Sequence, residues 1–323
     1  MRTQRVTSSP RHRRNLRNAP SAYLARKQVD ANVRKYLNAA LSENTVLAYR
    51  ADLKHFLAWG GSIPARPERV ARYLACYAPT LALATLSRRL VAIGRAHTAR
   101  GFSSPTDSPL VRSMLQGVRR SCDRGVRQVA PLGKRDLLKM VRGLTDVRGM
   151  RDAALLLLGF AGAFRRSELV ALDVDDVRFT DEGLLVRLRR SKTDQAGQGR
   201  VIAIPHVRGH CCPTQKLQEW LQVSGITDGA IFRQINRYGQ VLPKRLSAPA
   251  VALIVKQRAE AVGLDATRFS GHSLRAGFAT NAAKQGASLS SIRLQTGHKS
   301  DAMLQRYIRD SQMFTDNPLS KIW

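Results

Sequence analysis

Residues 269–277 read Phe-Ser-Gly-His-Ser-Leu-Arg-Ala-Gly. On a helix, the three-residue step from His272 to Arg275 sets an imidazole and a guanidinium on one face. A lone helical histidine is more often a packing residue than a reactive one, so the pair gains weight only from company. Downstream come Gly297-His298 and then Tyr307. A tyrosine near a C-terminal helix usually belongs to a core or a rim. Upstream, the apolar run from Ala153 to Phe164 is too short to cross a bilayer and reads as a buried helix. Arg165-Arg166-Ser167-Glu168-Leu169 follows it. An arginine closing a buried helix, with a glutamate three positions on, can be held by that carboxylate, which leaves an outward fork matched to two oxygens of a phosphate. Taken alone, an Arg–Glu pair at this spacing is commonplace. Ser191-Lys192-Thr193 stands past an apparent strand, in a turn rich in Gly and Gln, where a lysine is normally solvent-exposed.

Around these residues the pattern predicts helices at about 134–143 and 148–163, then short strands near 177–179, 184–190 and 200–204. The remainder reads as helical, broken at Gly225, Gly239 and Gly263. The first half reads as four helices. Val46, Tyr49, Leu53, Phe56 and Leu57 share a face after a Ser42 cap; Val70, Tyr73, Leu74 and Tyr77 mark the second helix. Leu86, Leu90 and Ile93 mark the third, and Ser108-Pro109 opens the fourth, with Leu110, Met114, Leu115 and Val118 inward. The off-core positions of the last two helices carry Arg88, Arg89, Arg95, Arg100, Arg112, Arg119 and Arg120, nearly without acidic partners. Charged outer faces are often only solvated, but this one-sidedness fits a bundle that grips a duplex. Residues 121–131 lack apolar periodicity, end in proline and read as a linker.

The whole chain agrees with that partner. Its 323 residues suggest about two domains. Against 23 Asp+Glu stand 54 Lys+Arg, a formal net charge of +31, which favours a polyanion. Before Asp30 no acid appears, while Arg2, Arg5, Arg11, Arg13, Arg14, Arg17, Arg26 and Lys27 do. Such a stretch also describes a transit peptide, but without amphipathic periodicity or an apolar segment we expect a disordered arm that lies on phosphates. Cys76, Cys122, Cys211 and Cys212 form no disulfide-like framework, so a cytoplasmic setting is expected. His206, His210, Cys211 and Cys212 crowd one loop without the paired spacing of a structural zinc site, and no metal is expected. Neither a phosphate-binding glycine loop nor an acidic metal cluster is present.

Arg-x-x-Glu-Leu, a hairpin lysine, His-x-x-Arg, Gly-His and a following Tyr, in this order and spacing, resemble the tyrosine recombinases of the phage-integrase family. The likeness runs from about Ser42 to Tyr307. The stretches 101–108 (Gly-Phe-Ser-Ser-Pro-Thr-Asp-Ser) and 269–273 are similar to Cre-like members, which carry Trp where this chain has His298. The resemblance implies a mostly α fold with a small antiparallel β-sheet: a basic arm over 1–36, a helical core-DNA-binding domain over 37–120, a linker over 121–131, and an α+β catalytic domain with a C-terminal tail over 132–323. The two domains would close on DNA as a C-shaped clamp. It further implies that Tyr307 forms a 3′-phosphotyrosyl bond, that Arg165, Arg275 and His298 hold the phosphate, and that Lys192 is the general acid. His272 is left as base toward Tyr307, phosphate donor, or both, and Glu168 as an orienting residue. Arg165 is preferred to Arg166 because it directly follows Phe164 and stands three before Glu168. Arg88, Arg89, Arg95, Arg112, Arg119 and Arg120 are expected DNA contacts. The implied assembly is a homotetramer on two sites of double-stranded DNA, with an accessory protein as an option and with no cofactor or membrane. The tail residues Met313, Phe314, Leu319, Ile322 and Trp323 could pack on their own domain or dock on a neighbouring protomer, and the neighbour is favoured. The alternatives are a catalytically silent DNA-binding protein of the same fold, which should have lost Tyr307, Arg275 or Lys192, and a type IB topoisomerase, which the helical first half argues against.

Overall fold

Ser42 fixes the start of the first helix: its hydroxyl accepts the Thr45 amide at 3.3 Å, and α1 runs Glu43–Ala58. The computed structural model describes residues 32, 41–121, 129–189, 199–298, 304–305 and 322. The expected arm (Asn32 apart), most of the linker, Lys192, Tyr307, and Met313, Phe314, Leu319 and Trp323 of the tail lie outside them. The chain divides into two compact units, Met1–Arg127 and Gln128–Trp323.

The first unit is helical. α2 (Pro67–Tyr77) starts on proline, whose missing amide costs nothing in a first turn; α3 is Leu83–Thr98. α4 (Pro109–Ser121) follows Ser108, whose Oγ accepts the Val111 amide at 3.3 Å. Phe56, Val70, Tyr73, Leu74, Leu86, Ile93 and Val111 form its core.

Here the outer-face reading of Arg89 is corrected. The residue is 8% exposed, its Nη1 donates to the Tyr73 hydroxyl at 2.9 Å, and its Nε lies 3.5 Å from Asp52. The cause is Asp52, which shares the inward side of α1 with Phe56 and is itself 3% exposed. A buried carboxylate has to be paired. Arg88, at half exposure, supplies a bidentate fork at 2.7 and 3.0 Å, and Arg89 the second cation. Arg95, Arg112, Arg119 and Arg120 are exposed.

The second unit is built on α6 (Val147–Ala161), whose residues from Ala153 to Leu158 are all buried. α5 (Lys134–Val141) precedes it, and α7 (Arg166–Ala171) follows after a tight turn. Next comes an antiparallel sheet in the order β1 (Val177–Thr180), β2 (Gly183–Leu188), β3 (Arg200–Pro205). Pairing Leu184 with Ile204 and Val186 with Ile202 turns these four apolar side chains to one buried face. After α8 (Pro213–Ser224) the structure departs from the expected helical remainder: β4 (Arg233–Ile235) and β5 (Val241–Arg245) form a second hairpin. Asn236 makes the turn, its Oδ1 accepting the Tyr238 and Gln240 amides at 2.9 and 3.0 Å, while Gly239 takes φ +82°. α9 (Ala248–Glu260), α10 (His272–Lys284) and α11 (Leu289–Thr296) complete the unit. No helix among the described residues is long and apolar enough to cross a membrane.

Candidate active site

Four stretches of the second unit meet: the turn after α6, the first residue of β3, the head of α10 and the turn after α11. Phe164 folds back over Gly162, where a Cβ would sit 2.1 Å from its ring, so only glycine leaves room for that turn. Ala163 is held at φ +48°, a left-handed conformation that aims its carbonyl at Arg275. Arg165 then caps α7. Its amide donates to Glu168 Oε2 at 2.9 Å and its Nη1 to Glu168 Oε1 at 2.5 Å, so one buried carboxylate fixes both backbone and side chain. Arg165 Nη2 reaches the Gly297 carbonyl at 3.5 Å. Arg166, by contrast, is exposed.

Arg275 is 1% exposed on α10. Its Nη1 donates to the carbonyl of Ala163 at 2.8 Å and, by a short bond, to that of Thr296. His272 stands one turn ahead at the head of the same helix. α11 ends where Gly297 turns left-handed at φ +64°, bringing His298 back over the helix. Thr296 Oγ1 donates to the Ile292 carbonyl at 2.7 Å and lies 2.8 Å from His298 Nδ1.

The electrostatics follow from this crowding of cations. Burial, then Arg275, then Arg165 hold His272 below the usual histidine range. Burial also pushes His298 down to about 3, with help from Arg275, Arg165, His272 and Arg200. Both rings are therefore neutral at physiological pH, beside guanidiniums that stay charged.

Of the residues expected at the site, the structure gathers Arg165, Glu168, His272, Arg275 and His298. Lys192 and Tyr307 lie outside the described residues. Leu304, three before Tyr307 in sequence, is buried against Ala279, Ala283 and Ile292. Arg200 was missed. It sits beside Glu168 and the end of α11, and nothing local in its strand distinguishes it from an exposed arginine.

The loop with His206, His210, Cys211 and Cys212 is arranged otherwise. His206 Nδ1 and Cys212 Sγ share the Thr214 hydroxyl, at 2.7 and 3.0 Å, where α8 begins. Burial raises the Cys212 thiol, but hydrogen bonds from Thr214, the Gln215 and Val207 amides and His206 outweigh it and hold the thiol at about 6. Among the described residues no three His, Cys, Asp or Glu side chains gather as metal ligands.

A family model described as the phage integrase family matches residues 134–313. The chain is 37% identical over 309 residues to an integrase/recombinase XerD homolog of Selenomonas ruminantium, spanning 92% of this chain and 90% of that protein. It is 27% identical over 270 residues to recombinase Cre of Escherichia phage P1, spanning 76% and 77%. Among solved structures, a lambda integrase tetramer bound to a Holliday junction superposes with TM-score 0.61 at 19% identity, covering 91% of this chain and 79% of that one.

Proposed function

The chain belongs to the phage integrase family of tyrosine recombinases, enzymes that cleave and rejoin DNA strands, and from that premise we propose that it is a site-specific recombinase acting through a 3′-phosphotyrosyl intermediate. The observation that carries this reading is the placement of Arg165 and Arg275 around one turn, beside two histidines kept neutral. Arg165 and Arg275 bind the non-bridging oxygens of the scissile phosphate, where charge grows as the attacking oxygen arrives. His298, once a proton is added at Nε2, gives a hydrogen bond to the same phosphate. Tyr307 Oη attacks phosphorus and the P–O5′ bond breaks. The phenol proton passes to His272, and the Lys192 ammonium protonates the departing 5′-oxygen. Tyrosine ordinarily ionises near about 10, so it needs such a base at neutral pH; arginine holds its proton too tightly to stand in for the lysine. Rejoining is the reverse attack by a 5′-hydroxyl. The phosphodiester energy stays in the tyrosyl ester, so neither step draws on a nucleotide.

Residues 132–323 act as the catalytic domain and 37–120 as the core-binding domain, with Arg88, Arg95, Arg112, Arg119 and Arg120 toward the duplex; Arg89 leaves that set because it is buried. Four protomers on two sites integrate, excise or resolve mobile DNA in the cytoplasm, each tail after Tyr307 docking on a neighbour. The test is covalent trapping on nicked duplexes tiled from the DNA flanking its own gene. A denaturation-resistant adduct, absent in Tyr307→Phe, is the expected result. Tight binding without an adduct anywhere in the flank would favour a silent DNA-binding protein.

A further inference from the structure

Arg200 opens β3 at the base of the β2–β3 hairpin, paired with Leu188 across the ladder, and Lys192 belongs to the connection between the two strands. Its guanidinium turns inward. Nη1 donates to the carbonyls of Leu294 and Gln295, both at 3.2 Å, and Nη2 to that of Thr296 at 3.3 Å. Nη2 also lies 3.9 Å from Glu168 Oε2, on the carboxylate that holds Arg165. The last carbonyls of a helix have no amide of their own helix to receive, and here one planar fork gathers three of them. Gly297 is shaped to this contact: a Cβ there would sit 2.3 Å from Arg200 Nη1, so glycine serves the close approach as well as the left-handed turn.

This is an expensive way to close a helix. Arg200 is largely enclosed, its Nε is buried with no hydrogen-bond partner among the described residues, and burial holds its pKa below the usual arginine value despite Glu168. It also adds a cation to ground already occupied by Arg165 and Arg275. Stability alone is served as well or better by a packed apolar side chain. What an apolar side chain does not supply is a fixed link between β3, Glu168 and the 294–296 carbonyls.

We propose that Arg200 is a positioning residue for strand cleavage, locking the base of the Lys192 hairpin to the turn that presents His298 and, through Glu168, to Arg165. The inference rests on the recombinase reading for its consequence, but the lock itself is a property of the protein alone. A phosphate site whose parts sit on separate elements needs such a tie, since misplacement by about 1 Å costs on the order of 10²-fold in rate.

The test uses the full chain carrying Arg200→Met and, separately, Arg200→Lys, which keeps the charge but loses the three-way fork. Histidine ring NMR is recorded without DNA, against His298→Ala to assign the signal. Arg200→Met is expected to shift and broaden the His298 resonance while leaving His55 unchanged; an unmoved His298 signal overturns the proposal. On the duplex that the wild type traps, Arg200→Met should slow adduct formation about 10²-fold, with DNA affinity within about twofold and partial recovery in Arg200→Lys. In a His298→Ala background the further loss should shrink, because the two act through one geometry. Equal adduct rates in wild type and Arg200→Met also overturn it. A wild type that forms no adduct counts against the recombinase reading, and the NMR comparison still decides the lock. If Arg200→Met does not fold, Arg200→Lys carries both measurements, and a wild-type spectrum and rate in it are the overturning result.

Discussion

Arginines gather around a buried carboxylate in each unit, Asp52 in the first and Glu168 at the candidate site of the second, and these two clusters balance differently. In the first, Asp52 meets Arg88, which is half in water, and Arg89, which is closed over by Tyr73 and His55. In the second, Glu168 faces Arg165 and Arg200, while Arg275 adds a third guanidinium held by the Ala163 and Thr296 carbonyls. The first cluster disposes of its surplus into solvent and aromatic rings. The second keeps it under cover, and the neighbouring histidines register it by refusing protons. Similar ingredients therefore make a structural clamp in one place and, on the proposed reading, an anion site in the other, and the uncancelled charge is what separates them.

The largest effect that would test this contrast comes from Glu168→Gln. Removing the one carboxylate from three enclosed cations should cost about 3–5 kcal/mol in chemical denaturation and abolish adduct formation; a cost under about 1 kcal/mol would mean that solvent already screens the site. Next comes acid. His298 has its folded pKa pushed down to about 3 from an ordinary 6.5, so the unfolded chain takes up a proton first as pH falls. Its contribution is whole above about 6.5 and is lost toward 3, at up to about 1.4 kcal/mol for each pH unit in that window. His298→Asn should flatten this slope, and an unchanged slope would show that another group causes it. Asp52→Asn should cost less, about 2 kcal/mol, because Arg88 turns to water and Arg89 keeps Tyr73. Its folded fraction should still cleave DNA at the wild-type rate, and a catalytic defect without instability would break the division between the clusters. Smallest is Arg88→Gln, at under about 1 kcal/mol for a half-exposed pair, which salt titration of the wild type should mimic.

The parts of this fold legible in sequence are those set by local chemistry. Ser42 and Ser108 cap where serines before helices should, the alternation at Leu184, Val186, Ile202 and Ile204 is the buried face of a sheet, and the His272–Arg275 step lies on a helix as its spacing requires. The hairpin of β4 and β5 was legible but unread: the Asn236 and Gly239 turn signals were present, and the two strands are too short to stand out by periodicity. Arg89 and Arg200 were not legible. Each is drawn inward by partners distant in sequence, Asp52 and Tyr73 for Arg89, the 294–296 carbonyls and Glu168 for Arg200, and sequence spacing carries no trace of them.

The Thr296 hydroxyl has one hydrogen, and the structure accounts for it. A carbonyl oxygen cannot donate, so the 2.7 Å contact with Ile292 takes that hydrogen. The 2.8 Å contact with His298 must then be bridged by a hydrogen on Nδ1, which fixes the tautomer of the neutral ring and makes Nε2 its lone-pair nitrogen. The histidine becomes a phosphate donor only on taking up a proton that the surrounding arginines otherwise keep away. If the proposed reading holds, a bound phosphate offsets those arginines, so DNA binding should draw a proton onto His298 and its affinity should weaken as pH rises.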